Sequence, residues 1–292
     1  MTPANPFQNQ DFAKFQLQSG KAAQVHTLQN KNGDDFFVYE FPLSKKFTIL
    51  YTYDYSTTLK KLAKDANAIY TLIEAYAPVK IPASQKTVSS IRSFVPRHTN
   101  FIDLLKSEEE IFNKMHPKCR YNIRLAKKKN IVIQEETELF NFHQLLKQTA
   151  DRDGFYLNPL EYYQSMLEIL QPKGHAKLFM AYANNVPVAG VLLTFFGDTC
   201  IYYYGASSNT HRNLMAPYLL QWHAITYAKS NGYKLYDFLG VANPANPKDS
   251  LGGVTYFKQK FGGDYAKWPD SITLVHKPIL FALLKLKKFL HV

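Results

Sequence analysis

The chain has 292 residues, enough for two modest domains, and its 46% hydrophobic content provides for a buried core and excludes wholesale disorder. Its net charge is +12, from 35 Lys and Arg against 23 Asp and Glu. Residues 111–130 hold seven basic side chains and no acid, and residues 277–292 hold four and no acid, so the rest of the chain is nearly neutral. Two such local patches suit a polyanion, whether nucleic acid, phospholipid or pyrophosphate, better than uniform solubilisation does. Cys119 and Cys200 lie far apart without CxxC spacing, and the nine histidines never fall at metal-ligand spacing. A disulfide framework and a zinc site are thereby excluded, which fits a reducing cytosol.

The first residues, MTPANPFQNQDF, contain no apolar run, so no signal peptide is expected. Alternation predicts strands over 23–29 and 35–41 joined by the turn Asn30-Lys31-Asn32-Gly33, then a strand over 46–53. Ser56 or Thr57 is placed to cap a helix running to about Ala75, with Leu59, Leu62, Ala66, Ile69 and Leu72 on its apolar face. Pro78 and Pro82 mark a loop, and residues 88–95 read as a returning strand.

Ser107 followed by Glu110 is a capping-box pattern for a short helix. Pro117 then opens a second helix reaching about Lys129, with Arg120, Arg124, Lys127 and Lys128 on one face and Tyr121, Leu125 and Ile131 elsewhere. Amphipathic helices follow over 137–152 and 160–170. Residues 177–183, 186–196 and 199–206 form a meander with turns at Asn184-Asn185 and Gly197-Asp198. A helix over 213–230, a strand over 234–239, a loop from Asn243 to Asp249, a helix over 251–261 and a strand over 271–276 complete the body. The tail is a basic, apolar helix, and its run over 278–284 is far short of the roughly 20 residues needed to span a bilayer. Both halves read as antiparallel strands, a packing helix and a further strand, which makes a duplicated α+β unit the economical architecture.

Strand, loop, helix, strand over 199–239 is the order of an N-acetyltransferase (GNAT)-like fold. In that fold glycine amides before the helix bind the pyrophosphate of coenzyme A, but the loop 211–216 has no glycine, which argues against acetyl-CoA as donor. Several segments carry a more specific resemblance: Lys118-Cys-Arg-Tyr-Asn-Ile-Arg-Leu-Ala-Lys127, Pro187-Val-Ala-Gly190, Tyr204-Gly-Ala-Ser207, Leu214-Met-Ala-Pro217, Gln221-Trp222 and Phe257-Lys258. Together, over about 102–263 and more weakly at 5–14, they resemble the Fem family of peptidoglycan-bridge aminoacyltransferases. The resemblance implies two tandem GNAT-like α+β domains with mixed, mainly antiparallel sheets. The first is expected over about 1–110, completed by the tail 271–292, and the second, catalytic one over 111–270. It implies transfer of an amino acid from aminoacyl-tRNA, as co-substrate, to the side-chain amine of a nucleotide- or lipid-linked precursor pentapeptide, with no metal or CoA. No heptad run is present, so the coiled-coil arm of some members is not expected.

By the resemblance, Lys258 stabilises the oxyanion of the tetrahedral intermediate and the carbonyl of Phe257 holds the attacking amine. The plain alternative for Lys258 is a helix lysine with its head in solvent. Tyr162, Tyr204 and Tyr256 are candidates for lining the precursor cleft, with sheet packing as their alternative. The family carries an arginine at the place of Asn158, so an anchor for phosphate or carboxylate is replaced there, and Lys45 and Lys46 of the first domain can compensate. Arg120, Arg124, Lys127, Lys128 and Lys129 are candidates for tRNA phosphates. Asp103 and Asp237, at strand ends, read as structural hydrogen-bonding groups. Ser207 and Ser208 near His211 suggest a hydrolase only superficially, because the nucleophile elbow is missing. The rival functions are a CoA-dependent N-acyltransferase and a non-catalytic module binding RNA or a membrane surface. The expected location is cytoplasmic. The tail either packs on the first domain or makes a peripheral contact with the inner face of the membrane.

Overall fold

The computed structural model describes residues 5–90, 93–246, 249 and 251–289. Up to Arg97 the elements are α1 (Gln10–Gln18), β1 (Gln24–Gln29), β2 (Asp35–Pro42), β3 (Thr48–Thr52), α2 (Leu59–Asp65), β4 (Ala68–Ile73) and β5 (Thr87–Ser89). Next come β6 (His98–Asp103), α3 (Glu108–Lys114), α4 (Pro117–Lys128), β7 (Val132–Glu136), α5 (Phe140–Asp153) and α6 (Leu160–Leu170). They are followed by β8 (Ala176–Ala183), β9 (Val186–Phe196), β10 (Thr199–Ser207), α7 (Ala216–Ser230), β11 (Leu235–Asp237), α8 (Gly252–Gln259) and β12 (Asp264–Lys267). The chain closes with β13 (Ile272–Val275) and α9 (Pro278–Phe289). No described helix is long and apolar enough to cross a membrane.

Two compact units result: Asn5–Arg97 together with the segment from Lys267 onward, and His98–Ala266. The joints fall at Arg97/His98 and Ala266/Lys267 rather than near 110 and 271, because β6 pairs antiparallel with β11 and so belongs with the later residues. The sheet of the first unit has the order β1-β2-β3-β4-β13-β5, and that of the second β12-β6-β11-β10-β9-β8-β7. Each follows one plan. An antiparallel meander leads through a helix to a parallel strand, β3 to β4 across α2 and β10 to β11 across α7, and an antiparallel neighbour closes the far side. This is the expected tandem GNAT-like α+β architecture.

Capping explains several boundaries. Ser107 Oγ accepts from the Glu110 amide while the Glu110 carboxylate accepts from the Ser107 amide, the reciprocal box read from the sequence. Pro117 sits at the start of α4, where its missing N–H costs nothing. Asn184 and Asn185 both adopt left-handed φ, 48° and 65°, as a tight hairpin turn demands.

The expected helix over 57–75 is corrected. Only Leu59–Asp65 is helical, and residues 68–73 are the wholly buried strand β4. Asn67 adopts a φ of 51° and its side-chain amide donates to the Lys46 carbonyl at 2.7 Å, which turns the chain between the two. The run Ala-Ile-Tyr-Thr-Leu-Ile that follows favours a strand once both faces are covered. The expected strand over 88–95 is β5 at its start, while positions 91 and 92 lie outside the described residues, as do 247 and 248 of the expected loop and position 250 after it. The strand β6 ends at Asp103 as read, and the helix α1 and the strands β7 and β12 are additions to the elements expected from sequence. Their short segments lack clean periodicity and take shape from pairing and packing.

The tail helix α9 rests on β4 through Phe281, which is buried and meets Tyr70 edge-on at 5.4 Å. Leu280 and Leu284 are half-buried, whereas Ile279, Leu283 and Leu286 are exposed. Packing therefore uses one side of the helix only.

Candidate active site

The ladder between β10 and β11 ends at the pairs Cys200–Tyr236 and Ile201–Asp237. Beyond it β10 runs on to Ser207, while the chain after Asp237 stays with β6: the Phe238 amide donates to Asn100 O at 3.0 Å and the Val241 amide to His98 O at 2.9 Å. The two strands thus part in the middle of the sheet.

Lys258 occupies this fork. It is 7% exposed, and its Nζ donates to the carbonyl of Leu239 and, at 2.7 Å, to that of Gly240. Its Nζ also stands 5.5 Å from the centre of the Tyr202 ring. The solvated alternative for this lysine is therefore corrected. An ammonium has three N–H donors; two are held by main-chain carbonyls, which leaves a third for a ligand. Burial pulls its pKa down to about 8, against a partial upward pull from Asp237. Leu239 and Gly240 both have left-handed backbone, with φ of 47° and 51°. Asp237 fixes that turn: its Oδ1 accepts from the Leu239 amide at 2.8 Å and from the Thr99 hydroxyl. Burial lifts the Asp237 carboxyl to about 6, while those two hydrogen bonds and Lys258 act the other way. The structural role read for Asp237 is what it plays, and it shapes the turn that holds Lys258.

A bulge sets the other wall. Tyr202 pairs with Leu193 and Tyr204 with Leu192, so Tyr203 is an extra residue in β10. Tyr202 consequently faces the side of α7, packing on Phe238 and lying over Gly205, where any Cβ would collide with its phenol. Tyr204 turns to the opposite side, where its hydroxyl is 3.3 Å from that of Tyr162 and its ring meets Tyr163 edge-on at 5.1 Å. Tyr162 and Tyr204 are thus brought together, with Tyr163 as a third ring. Asn158 hydrogen-bonds Tyr163, and its carbonyl is 3.2 Å from His143 Nε2.

Phe257 is half-buried against Tyr218 and Phe261, each ring 5.2 Å away, and among the described residues its carbonyl receives only a long bond of 3.3 Å from the Lys260 amide. Tyr256 is largely exposed on α8, its ring covered by the Lys260 Nζ at 3.9 Å. Lys45 and Lys46 sit exposed in the turn before β3, in the unit that begins at Asn5.

On α4, Lys127, Lys128 and Lys129 are exposed, as is Arg124, whose guanidinium lies 5.3 Å from the Phe112 ring. Arg120 is drawn away from this group: its Nη1 donates to Asn113 O at 2.9 Å and to Met115 O, capping the end of α3. Tyr121 corrects the expected faces. It is 62% exposed on the basic side, because Cys119, Asn122, Ile123 and Ala126 form the buried one. Among the described residues, no group of three or more His, Cys, Asp and Glu side chains could hold a metal.

The two sheets, each with its helical crossover to a parallel strand, define a tandem GNAT-like fold. Residues 83–185 and 180–288 match the model of the FemAB family, and the chain belongs to that family. The lipid II:glycine glycyltransferase of Staphylococcus haemolyticus (strain JCSC1435) is 25% identical over 233 residues, 57% of this chain and 56% of that protein. The protein of the same name from Staphylococcus aureus is 22% identical over 235 residues, again 57% and 56% of the two chains. The chain thus spans about half the length of the curated relatives it matches. The crystal structure of FemX shares its fold over 97% of this chain and 95% of that one, with a TM-score of 0.79 at 18% identity.

Proposed function

We propose that the chain transfers an amino acid from aminoacyl-tRNA to the side-chain amine of a peptidoglycan-precursor pentapeptide, forming part of an interpeptide bridge. The observation that carries this reading is the buried Lys258 ammonium in the fork, held by two carbonyls with one N–H to spare. The amine attacks the ester carbonyl carbon, and the developing oxyanion takes the third N–H of Lys258. Collapse expels the ribose oxygen, which leaves with the proton lost by the amine, and an amide replaces the ester. The weakly engaged carbonyl of Phe257 accepts an N–H of the incoming amine. The rings of Tyr162 and Tyr204 line the acceptor's path, with Asn158 behind them and Tyr256 as an outer contact.

The exposed Lys127, Lys128, Lys129 and Arg124 meet tRNA phosphates, with Arg120 bracing the helix end, and Tyr121 among them offers a ring for base stacking. Family membership and relatives named as glycyltransferases acting on lipid II support a precursor acceptor. No further cofactor enters this chemistry. The test supplies charged tRNA pools with nucleotide-linked and lipid-linked pentapeptide and reads the acceptor by mass spectrometry. An acceptor heavier by one aminoacyl residue is expected. Unchanged acceptor with every charged tRNA would refute the assignment.

A further inference from the structure

Among the described residues, the outer side of α9 is an unpartnered apolar stripe with a basic margin. Ile279, Leu283 and Leu286 recur at i, i+4 and i+7 and are 79%, 57% and 54% exposed. They lie opposite Phe281, the side chain that fixes the helix to Tyr70. Lys287 is exposed at the edge of the stripe, and Lys285, also exposed, lies further round with its ammonium 5.8 Å from the centre of the Phe281 ring. At the root of the helix, Lys277 and Lys46 hold their ammonium groups 6.0 and 5.7 Å from the centre of the Phe47 ring. Lys60 lies close enough to His276 to act on it electrostatically, as Lys277 does. Residues 277–287 contain no acid. The His276 ring is anchored to Thr71 at 2.8 Å, and the amides of His276 and Lys277 both donate to Ile69 O at 3.0 Å, so the helix leaves the sheet at a fixed point.

We propose that α9 seats this unit on the surface of an anionic lipid bilayer. Ile279, Leu283 and Leu286 enter the boundary between headgroups and acyl chains, and Lys46, Lys277, Lys285 and Lys287 meet lipid phosphates. An apolar stripe with lysines at its margins is the pattern of an in-plane interfacial helix. A second copy of this chain fits the stripe less well. Self-complementary pairing would bring the same lysines against one another, and three side chains offer far less than the roughly 800 Å² per partner of a stable interface. The inference goes beyond the transfer reading and stands apart from it, since lipid binding is measured without catalysis.

The experiment is co-sedimentation of the full chain with vesicles of equimolar phosphatidylglycerol and phosphatidylcholine, and with phosphatidylcholine alone. The wild type should pellet with the anionic vesicles only, and less as salt is raised. A variant carrying Ile279→Ser, Leu283→Ser and Leu286→Ser should lose at least tenfold in partitioning. A second variant, Lys285→Glu with Lys287→Glu, alters only exposed side chains and should lose binding in the same direction. Melting curves of both variants report folding. Wild type that stays in the supernatant with both vesicles overturns the proposal. So does a wild-type dimer that becomes monomeric in the serine variant without lipid, because the stripe would then be covered by a second copy.

Discussion

Lys258 is bound to Gly240 through the main chain: its ammonium donates to that residue's carbonyl at 2.7 Å, and no carboxylate lies within ion-pair distance of it among the described residues. A carbonyl positions a cation without neutralising it. The full positive charge stays available to a developing oxyanion in a site from which water is largely excluded.

Lys258→Ala should reduce transfer by about 100-fold or more, the scale for removing one oxyanion donor. The displacement of its pKa from 10.5 to about 8 corresponds to about 3 kcal/mol held against folding by the buried charge. Lys258→Met, which keeps the volume and drops the charge, should therefore melt no lower than wild type while losing transfer equally. Wild-type turnover in a folded Lys258→Met protein would remove the residue from the mechanism.

The pH dependence has a definite sign. As pH climbs through about 8 the folded chain gives up the Lys258 proton, so transfer by wild type should fall relative to Lys258→Arg, which stays charged. Between about 8 and the ordinary lysine value of 10.5 the unfolded chain binds more protons at this group, so wild-type stability should rise with pH relative to Lys258→Met. Parallel profiles of rate in wild type and Lys258→Arg would count against an ammonium role.

Asp237→Asn keeps an oxygen for Thr99 and for the Leu239 amide but removes the negative charge that supports the ammonium. The descending limb of the rate profile should move to lower pH. With a folded value of about 6 against 3.8, the carboxylate form costs stability fully above 6, and the cost vanishes below 3.8. Wild type should thus lose stability as pH rises from about 4 to 6, and Asp237→Asn should not. Denaturant melts across that window decide it.

Charge reversal at Lys127, Lys128 and Lys129 should flatten the dependence of tRNA affinity on salt, by about 0.9 or less in log–log slope for each phosphate no longer neutralised. Tyr121→Ala should instead weaken binding by about 1–3 kcal/mol at unchanged slope, as expected for one stacked base. Slopes from filter binding at several salt concentrations separate the two effects.

Phe281→Ala should cost about 3 kcal/mol, because the ring is buried against Tyr70. Removing residues 277–292 should lower the melting temperature at least as much. The exposed side chains of α9 should contribute almost nothing to this figure, and differential scanning calorimetry of wild type, Phe281→Ala and the truncated chain compares them directly.

The meander β8–β10 is legible in the sequence almost to the residue, because alternation and the Asn184-Asn185 turn agree. The helix expected over 57–75 fails because Ile69 and Leu72 satisfy a helical spacing as well as a buried strand does. What separates them is Asn67, whose turn is held by a carbonyl 21 residues away. Lys258 is found through its Phe-Lys motif, yet its burial is not readable there: the carbonyls that hold it come from 18 and 19 positions upstream and converge only once β6 and β11 pair. Tyr121 lies on the basic face rather than apart from it because the buried side of α4 is made by Cys119, Asn122, Ile123 and Ala126, and hydropathy alone does not mark Asn122 as core.

The extra residue in β10 makes the strand behave like a reading frame. Upstream of Tyr203 the sequence is in one phase with β9, and downstream it is in the other. Were β10 to run on in its upstream register, with Tyr203 opposite Leu192 and no shift, every residue from Tyr204 to Ser207 would swap its facing. Tyr204 would leave Tyr162 for the side of Tyr202, and Gly205 would surrender the space that the Tyr202 phenol fills. Point substitutions can therefore tune the tyrosine cluster and the lysine fork separately, whereas a slip of the downstream half by one residue would dismantle both in one step.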